Sequence, residues 1–106
     1  MLGRATIPVV RRTYLLEAKE GQGKNLMDIL LELVLPTREE DGNIAYVPHF
    51  SADNPDKILF DELWIDKNAL DNHFKQPHMR DLLEKIDHLL TKPLVLETYK
   101  EILLGD

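Results

Sequence analysis

Within the stretch Lys57–Met79, KILFDELWIDKNALDNHFKQPHM, a carboxylate, an indole and two imidazoles stand close together as Glu62, Trp64, His73 and His78. Imidazole titrates nearest neutral pH, so His73, His78 and, upstream, His49 are the natural acid–base groups. Glu62 and Trp64 are two apart, which on a strand puts them on one face. A carboxylate beside an indole in a dry cleft has a raised pKa and can accept a phenolic proton. The competing assignment is an ordinary ion pair with a lysine or arginine. Trp64 offers a flat surface and one N–H donor for orienting an aromatic ring, or simply for packing between sheet and helices. His73 and His78 are five apart across a break at Pro77. That is not the i, i+4 spacing that puts two ligands on one helix face, so the spacing argues against a zinc site. Tyr14 and Tyr46 are candidates to line a pocket, although strand tyrosines are commonly half-buried packing residues. Gly21 and Gly23 are explained by a turn, and no serine sits in a nucleophile motif.

These side chains need elements to hold them. Alternation along Lys57–Ile65 sets Ile58, Phe60, Glu62 and Trp64 on one face of a strand and Leu59, Asp61, Leu63 and Ile65 on the other. Asp66 is placed to N-cap the helix that follows, and Pro77 suits the first turn of the next. Residues 1–8 read as a loose leader ahead of a domain over 9–106. The first strand begins at Val9, with Tyr14, Leu16 and Ala18 sharing a face. From Lys24 to about Leu35, Leu26, Ile29, Leu30, Leu33 and Val34 recur at helical spacing, and Pro36 ends or kinks that helix. REEDGN reads as a solvated connection. Ile44–Ser51 is the second strand, where Pro48 predicts an edge position or a bulge near His49. Met79, Leu82, Leu83, Ile86, Leu89 and Leu90 form a second helical stripe before a last strand over Leu94–Ile102. The order βαββαβ, with helices on one sheet face, gives a ferredoxin-like α+β fold with an antiparallel sheet. The opposite sheet face then lacks cover within the chain, which creates a demand for a partner.

Composition bounds the function. At 106 residues the chain supports one modest core, and a formal charge of -6 argues against binding nucleic acid. With no cysteine there is no disulfide framework or thiolate nucleophile, which is compatible with a cytoplasmic location. No apolar run reaches the roughly 20 residues needed to span a bilayer, so no membrane association is expected.

The run E-x-W-x-x-x-x-A-L-x-x-H-x-x-x-P-H, carried by Glu62, Trp64, Ala69, Leu70, His73, Pro77 and His78, resembles the antibiotic biosynthesis monooxygenase family, which includes small quinol monooxygenases. Tyr46, His49 and Ser51 resemble the family's second-strand pattern Y-x-x-H-x-S. The resemblance covers roughly residues 9–102. It implies a homodimeric α/β barrel in which two sheets pack face to face. It also implies oxygenation of a small quinol- or anthrone-like aromatic substrate with no cofactor and no metal. Glu62, His73 and His49 then compete for the base, and Trp64, Tyr46, Tyr14 and His78 contact substrate. Three alternatives share the scaffold. One is a non-catalytic dimer that binds a small ligand. Another is an isomerase of a small phosphorylated substrate, which would need Arg11, Arg12 or Arg80 at the cleft. The third is haem degradation, which uses a first-strand asparagine that Val9–Ala18 does not contain.

Overall fold

The computed structural model describes residues 4–104. The chain runs β1 (Arg4–Glu17), α1 (Gly23–Leu31), α2 (Val34–Arg38), β2 (Asn43–Phe50), β3 (Lys57–Trp64), α3 (Lys67–Phe74), α4 (Pro77–Ile86), a short 3-10 turn (Asp87–Leu89) and β4 (Val95–Leu104). The four strands form one antiparallel sheet in the order β2-β3-β1-β4. This is the ferredoxin-like α+β arrangement expected from the element order.

The helices cover one face because their apolar stripes have nowhere else to go. Leu26, Met27 and Leu30 of α1 and Met79, Leu82 and Ile86 of α4 are buried against Tyr14, Leu16, Ile58 and Phe60 of the sheet. A smaller cluster, Val10, Trp64, Ala69 and Leu70, packs α3 onto the far end of the same face. Burying each such side chain contributes on the order of 2 kcal/mol, so the stripes fix which way the sheet faces. Asp66 caps α3 by accepting from the Ala69 N–H at 2.8 Å, and Pro77 occupies the first turn of α4.

Two local expectations need correction. β1 starts at Arg4 rather than Val9. Arg4 pairs with Leu104 and Thr6 with Ile102, and the register shifts between Thr6 and Val10 around Pro8, which cannot donate to a ladder. Residues 4–8 therefore belong to the sheet, whereas Met1–Gly3 of the expected leader lie outside the described residues. The expected helix over Lys24–Leu35 is two helices, broken by a turn at Glu32 and Leu33; of the two expectations for Pro36, the continuation holds, since α2 runs past it to Arg38. A proline in a first turn lacks only an N–H that the helix would leave unpaired. Of the two expectations for Pro48, the edge position holds, since β2 is an outer strand; the register irregularity of β2 lies between Asn43 and Ala45.

Candidate active site

β3 delivers the centre of the site. Ile58, Phe60, Glu62 and Trp64 are all 0–1% exposed, so a carboxylate stands in an otherwise apolar row. Trp64 donates its Nε1–H to Glu62 Oε1 at 3.0 Å. Among the described residues, Glu62 Oε2 has no hydrogen-bond partner. Burial dominates, and pushes the Glu62 carboxyl up from its ordinary value to about 8. The indole bond and the Arg12 charge oppose this only in part.

α3 brings His73 over the strand. Its ring lies 4.8 Å from the Trp64 ring, centroid to centroid, and its Nε2 is 3.7 Å from Glu62 Oε1. That separation is too long for a hydrogen bond, and among the described residues Nε2 has no partner. Desolvation holds the imidazole below its ordinary pKa, against the pull of Glu40 on the far side. His73 is therefore a neutral ring wedged between two carboxyl groups.

Glu40 was not singled out in the sequence. It sits in the connection between α2 and β2, and its side chain is only 11% exposed. Glu40 Oε2 lies 2.8 Å from His73 Nδ1 and 2.9 Å from His78 Nε2, so one oxygen bridges both imidazoles. The turn that aims it depends on Gly42, whose φ of +85° suits glycine. A Cβ there would come within 2.6 Å of Ala69 Cβ. The only local sign was position: a glutamate following Thr37 and Arg38 at a helix end, followed by a glycine turn.

The remaining predicted residues divide between the two sheet faces. Tyr46 is 1% and Tyr14 6% exposed, both on the helix-covered face. Burial raises both phenols above their ordinary range, and the neighbouring Glu62 charge adds to the effect. With Phe60, Met79, Leu82 and Leu94 they line a small apolar cavity of about 20 Å³ between sheet and helices. Tyr46 pairs with Glu62 across the β2–β3 ladder, so the cavity wall continues into the acid–base cluster. His49 pairs with Leu59 on the opposite, open face and hydrogen-bonds through Nδ1 to the Leu59 carbonyl at 3.3 Å. Ser51 accepts from the Asp53 and Asn54 N–H groups and holds the β2–β3 turn. Of the arginines, Arg12 lies on the site face, hydrogen-bonded to Thr98 Oγ1 at 2.7 Å and 4.9 Å from the Phe74 ring. Arg11 pairs with Asp61 on the open face, and Arg80 is exposed on α4.

The ferredoxin-like α+β sheet thus carries a buried Glu–Trp–His cluster beside a small apolar cavity. The sequence profile of the antibiotic biosynthesis monooxygenase family matches residues 10–85, and the chain belongs to that family. The Mycobacterium tuberculosis protein named "Putative monooxygenase Rv0793" is 35% identical over 71 residues, covering 67% of this chain and 69% of that one. Its solved structure superposes with a TM-score of 0.80 over 86% of this chain and 92% of that chain, at 26% identity. The uncharacterized Synechocystis protein sll1783 is 29% identical over 85 residues, 80% of this chain. The match spans 58% of that relative's length. Protein SO0527 from Shewanella oneidensis shares the fold, with a TM-score of 0.87 over 95% of this chain and 99% of that one at 24% identity. Among the described residues, no helix is long and apolar enough to cross a membrane.

Proposed function

We propose that this protein is a cofactor-independent monooxygenase that oxidises a small quinol- or anthrone-like aromatic with O2, and that it works as a homodimer. The observation that carries the reading is the Glu62 carboxyl. It is fully buried, held on one oxygen by Trp64, free on the other, and set next to a small apolar cavity walled by Tyr46 and Tyr14. Membership of the family supports the reaction class.

In this reading the helices shift from the sheet to admit the aromatic ring beside the small apolar cavity, and ionised Glu62 accepts its acidic proton, with His73 as the alternative acceptor 3.7 Å away. The resulting anion gives two electrons to O2 and forms a carbon–oxygen bond. The hydroperoxide then loses water: its O–O bond breaks, the C–H proton on the same carbon leaves, and the carbon becomes a carbonyl. For an anthrone a CH2 centre plus O2 thus becomes C=O plus H2O; for a hydroquinone, whose first proton is phenolic, the quinol plus O2 becomes a hydroxyquinone plus H2O. The substrate supplies all the electrons, so no external reductant enters the balance. Trp64 keeps Glu62 aimed, and Phe74 with Tyr46 flanks His73. The dimer is motivated by the open sheet face, where Leu15, Val47, Leu59, Val95 and Tyr99 are 37–47% exposed.

The test is oxygen uptake by chelator-treated protein on a panel of hydroquinones and anthrones. Protein-dependent uptake that drops at least about 100-fold in Glu62→Gln is expected, the usual scale of a lost general base. Uptake no faster than the spontaneous rate across the panel would overturn the reading in favour of a ligand-binding module. Undiminished uptake in both Glu62→Gln and His73→Ala would overturn the site.

A further inference from the structure

We propose that Glu40, His73 and His78 form a binding site for one divalent first-row transition-metal ion. This goes beyond the proposed oxygenation, which does not require a metal.

The inference starts from three donors that the fold gathers from separate elements. Glu40 comes from the α2–β2 connection, His73 from the last turn of α3 and His78 from the first turn of α4. One ligand atom from each lies within 4.8 Å of the other two. Two imidazole nitrogens and one carboxylate oxygen are the donor set of three-ligand zinc sites and of the two-histidine, one-carboxylate iron sites. Either set leaves coordination positions open. Glu40 Oε2 already touches both imidazoles, at 2.8 and 2.9 Å. Those are hydrogen-bond separations, so an ion needing bonds of about 2.0–2.2 Å to each donor enters with a spreading of a few tenths of an ångström. The break at Pro77 makes this possible, because it starts a new helix and turns His78 back toward His73. The two rings lie 6.2 Å apart, centroid to centroid.

A second observation concerns the far side of His73. With Nδ1 on a metal, a neutral imidazole carries its proton on Nε2, which at present has no partner among the described residues. Nε2 faces Glu62 Oε1 at 3.7 Å, and Trp64 holds that carboxyl in place. A small rotation makes Glu62 the carboxylate behind the ligating histidine, the arrangement that commonly orients metal-bound imidazoles. Glu62 thereby gives His73 a supporting partner on the side away from the ion.

Access is also provided. His73 is buried, but the side chains of Glu40 and His78 are 11% and 26% exposed. His78 further lines an open groove of about 140 Å³ together with Glu32 and Asp81. An ion can reach His78 from solvent along this groove, which Lys85, paired with Glu32, and apolar Ile29, Leu33 and Leu82 also line.

The experiment is calorimetric titration of the chelator-treated full chain with Zn2+, paralleled by the visible spectrum of the Co2+ form. One ion per chain is expected, with the absorption of four- or five-coordinate Co2+ carrying nitrogen ligands. Glu62→Gln should weaken binding about 10-fold, as loss of a supporting carboxylate does. Glu40→Gln and His78→Ala, each removing a direct ligand, should weaken it more than that. His49→Ala, on the other sheet face, should change nothing. Circular dichroism of every variant separates lost ligands from lost folding, and Glu40→Gln preserves side-chain size for that purpose. No binding below millimolar ion, or binding that Glu40→Gln and His78→Ala leave unchanged, would overturn the proposal. Loss of binding in His49→Ala would also overturn it, because the ion would then sit elsewhere. None of these readouts uses substrate, so the oxygenation reading can fail while the metal site stands, and the reverse.

Discussion

Asp61 and Glu62 are neighbours on one strand, yet they live in opposite electrostatic worlds. Asp61 points to the open face, where Arg11 pairs with it and its side chain is 33% exposed. Glu62 points to the helix-covered face, is 0% exposed, and has only the Trp64 N–H on one oxygen. The period-2 geometry of a strand makes this separation automatic. A carboxylate stripped of water, whose nearby Arg12 charge and indole bond offset that burial only in part, becomes a proton acceptor near neutrality. The same sheet therefore carries a covered face with a buried carboxyl and an open face of exposed apolar side chains, which the proposed reading assigns to chemistry and to association.

The sharpest way to break this contrast is to neutralise the buried member. Glu62→Gln should cost at least about 100-fold in oxygen uptake, while Asp61→Asn leaves turnover near wild type; comparable losses in both would deny the two faces separate roles. Stability should follow the same divide. The folded-state pKa of Glu62 is raised to about 8 from an ordinary 4.5. Between those values the native protein holds a proton that the unfolded chain has released, so stability falls as pH rises through this window. The slope contributed is at most about 1.4 kcal/mol per pH unit, and it vanishes below 4.5 and above 8. Chemical denaturation of metal-free wild type and Glu62→Gln from pH 5 to 9 should show the variant gaining relative stability as pH rises. Parallel curves would show that Glu62 is not held neutral.

On the open face, Leu59→Lys places a charge among exposed Leu15, Val47 and Val95. Light scattering should report a halved mass with the fold retained, and a dimer that survives would move the interface elsewhere. A smaller effect belongs to the frame of the site: Asp66→Ala removes the cap on α3 and should cost about 1 kcal/mol by thermal unfolding. Smallest is Asp61→Asn itself, expected at under about 1 kcal/mol because its partner Arg11 has a side chain 47% exposed and the pair is screened. A larger loss would mean that the open face is drier than the isolated chain shows.

Much of this architecture was legible because it is local. Alternation over Lys57–Ile65 identified the faces of β3, and hence the shared placement of Glu62 and Trp64, without reference to any other segment. The stripes of α1 and α4, the Asp66 cap and the Pro77 start likewise depend on residues a few positions apart. Glu40 was illegible for the opposite reason. REEDGN is polar and turn-rich, and what draws one of its glutamates inward is a pair of histidines 33 and 38 residues away. His49 shows the same limit. Its type suggested acid–base chemistry, but the register of β2 on β3 turns it toward the open face.

By itself the sequence determined the element order, the buried side of each element and the presence of a carboxylate in an apolar row, since periodicity and capping act over single turns and strands. Only the tertiary structure decided which polar groups meet. The neutral ring of His73 between Glu62 and Glu40, and the return of His78 onto the same oxygen, arise where three elements converge, and no local pattern encodes that convergence.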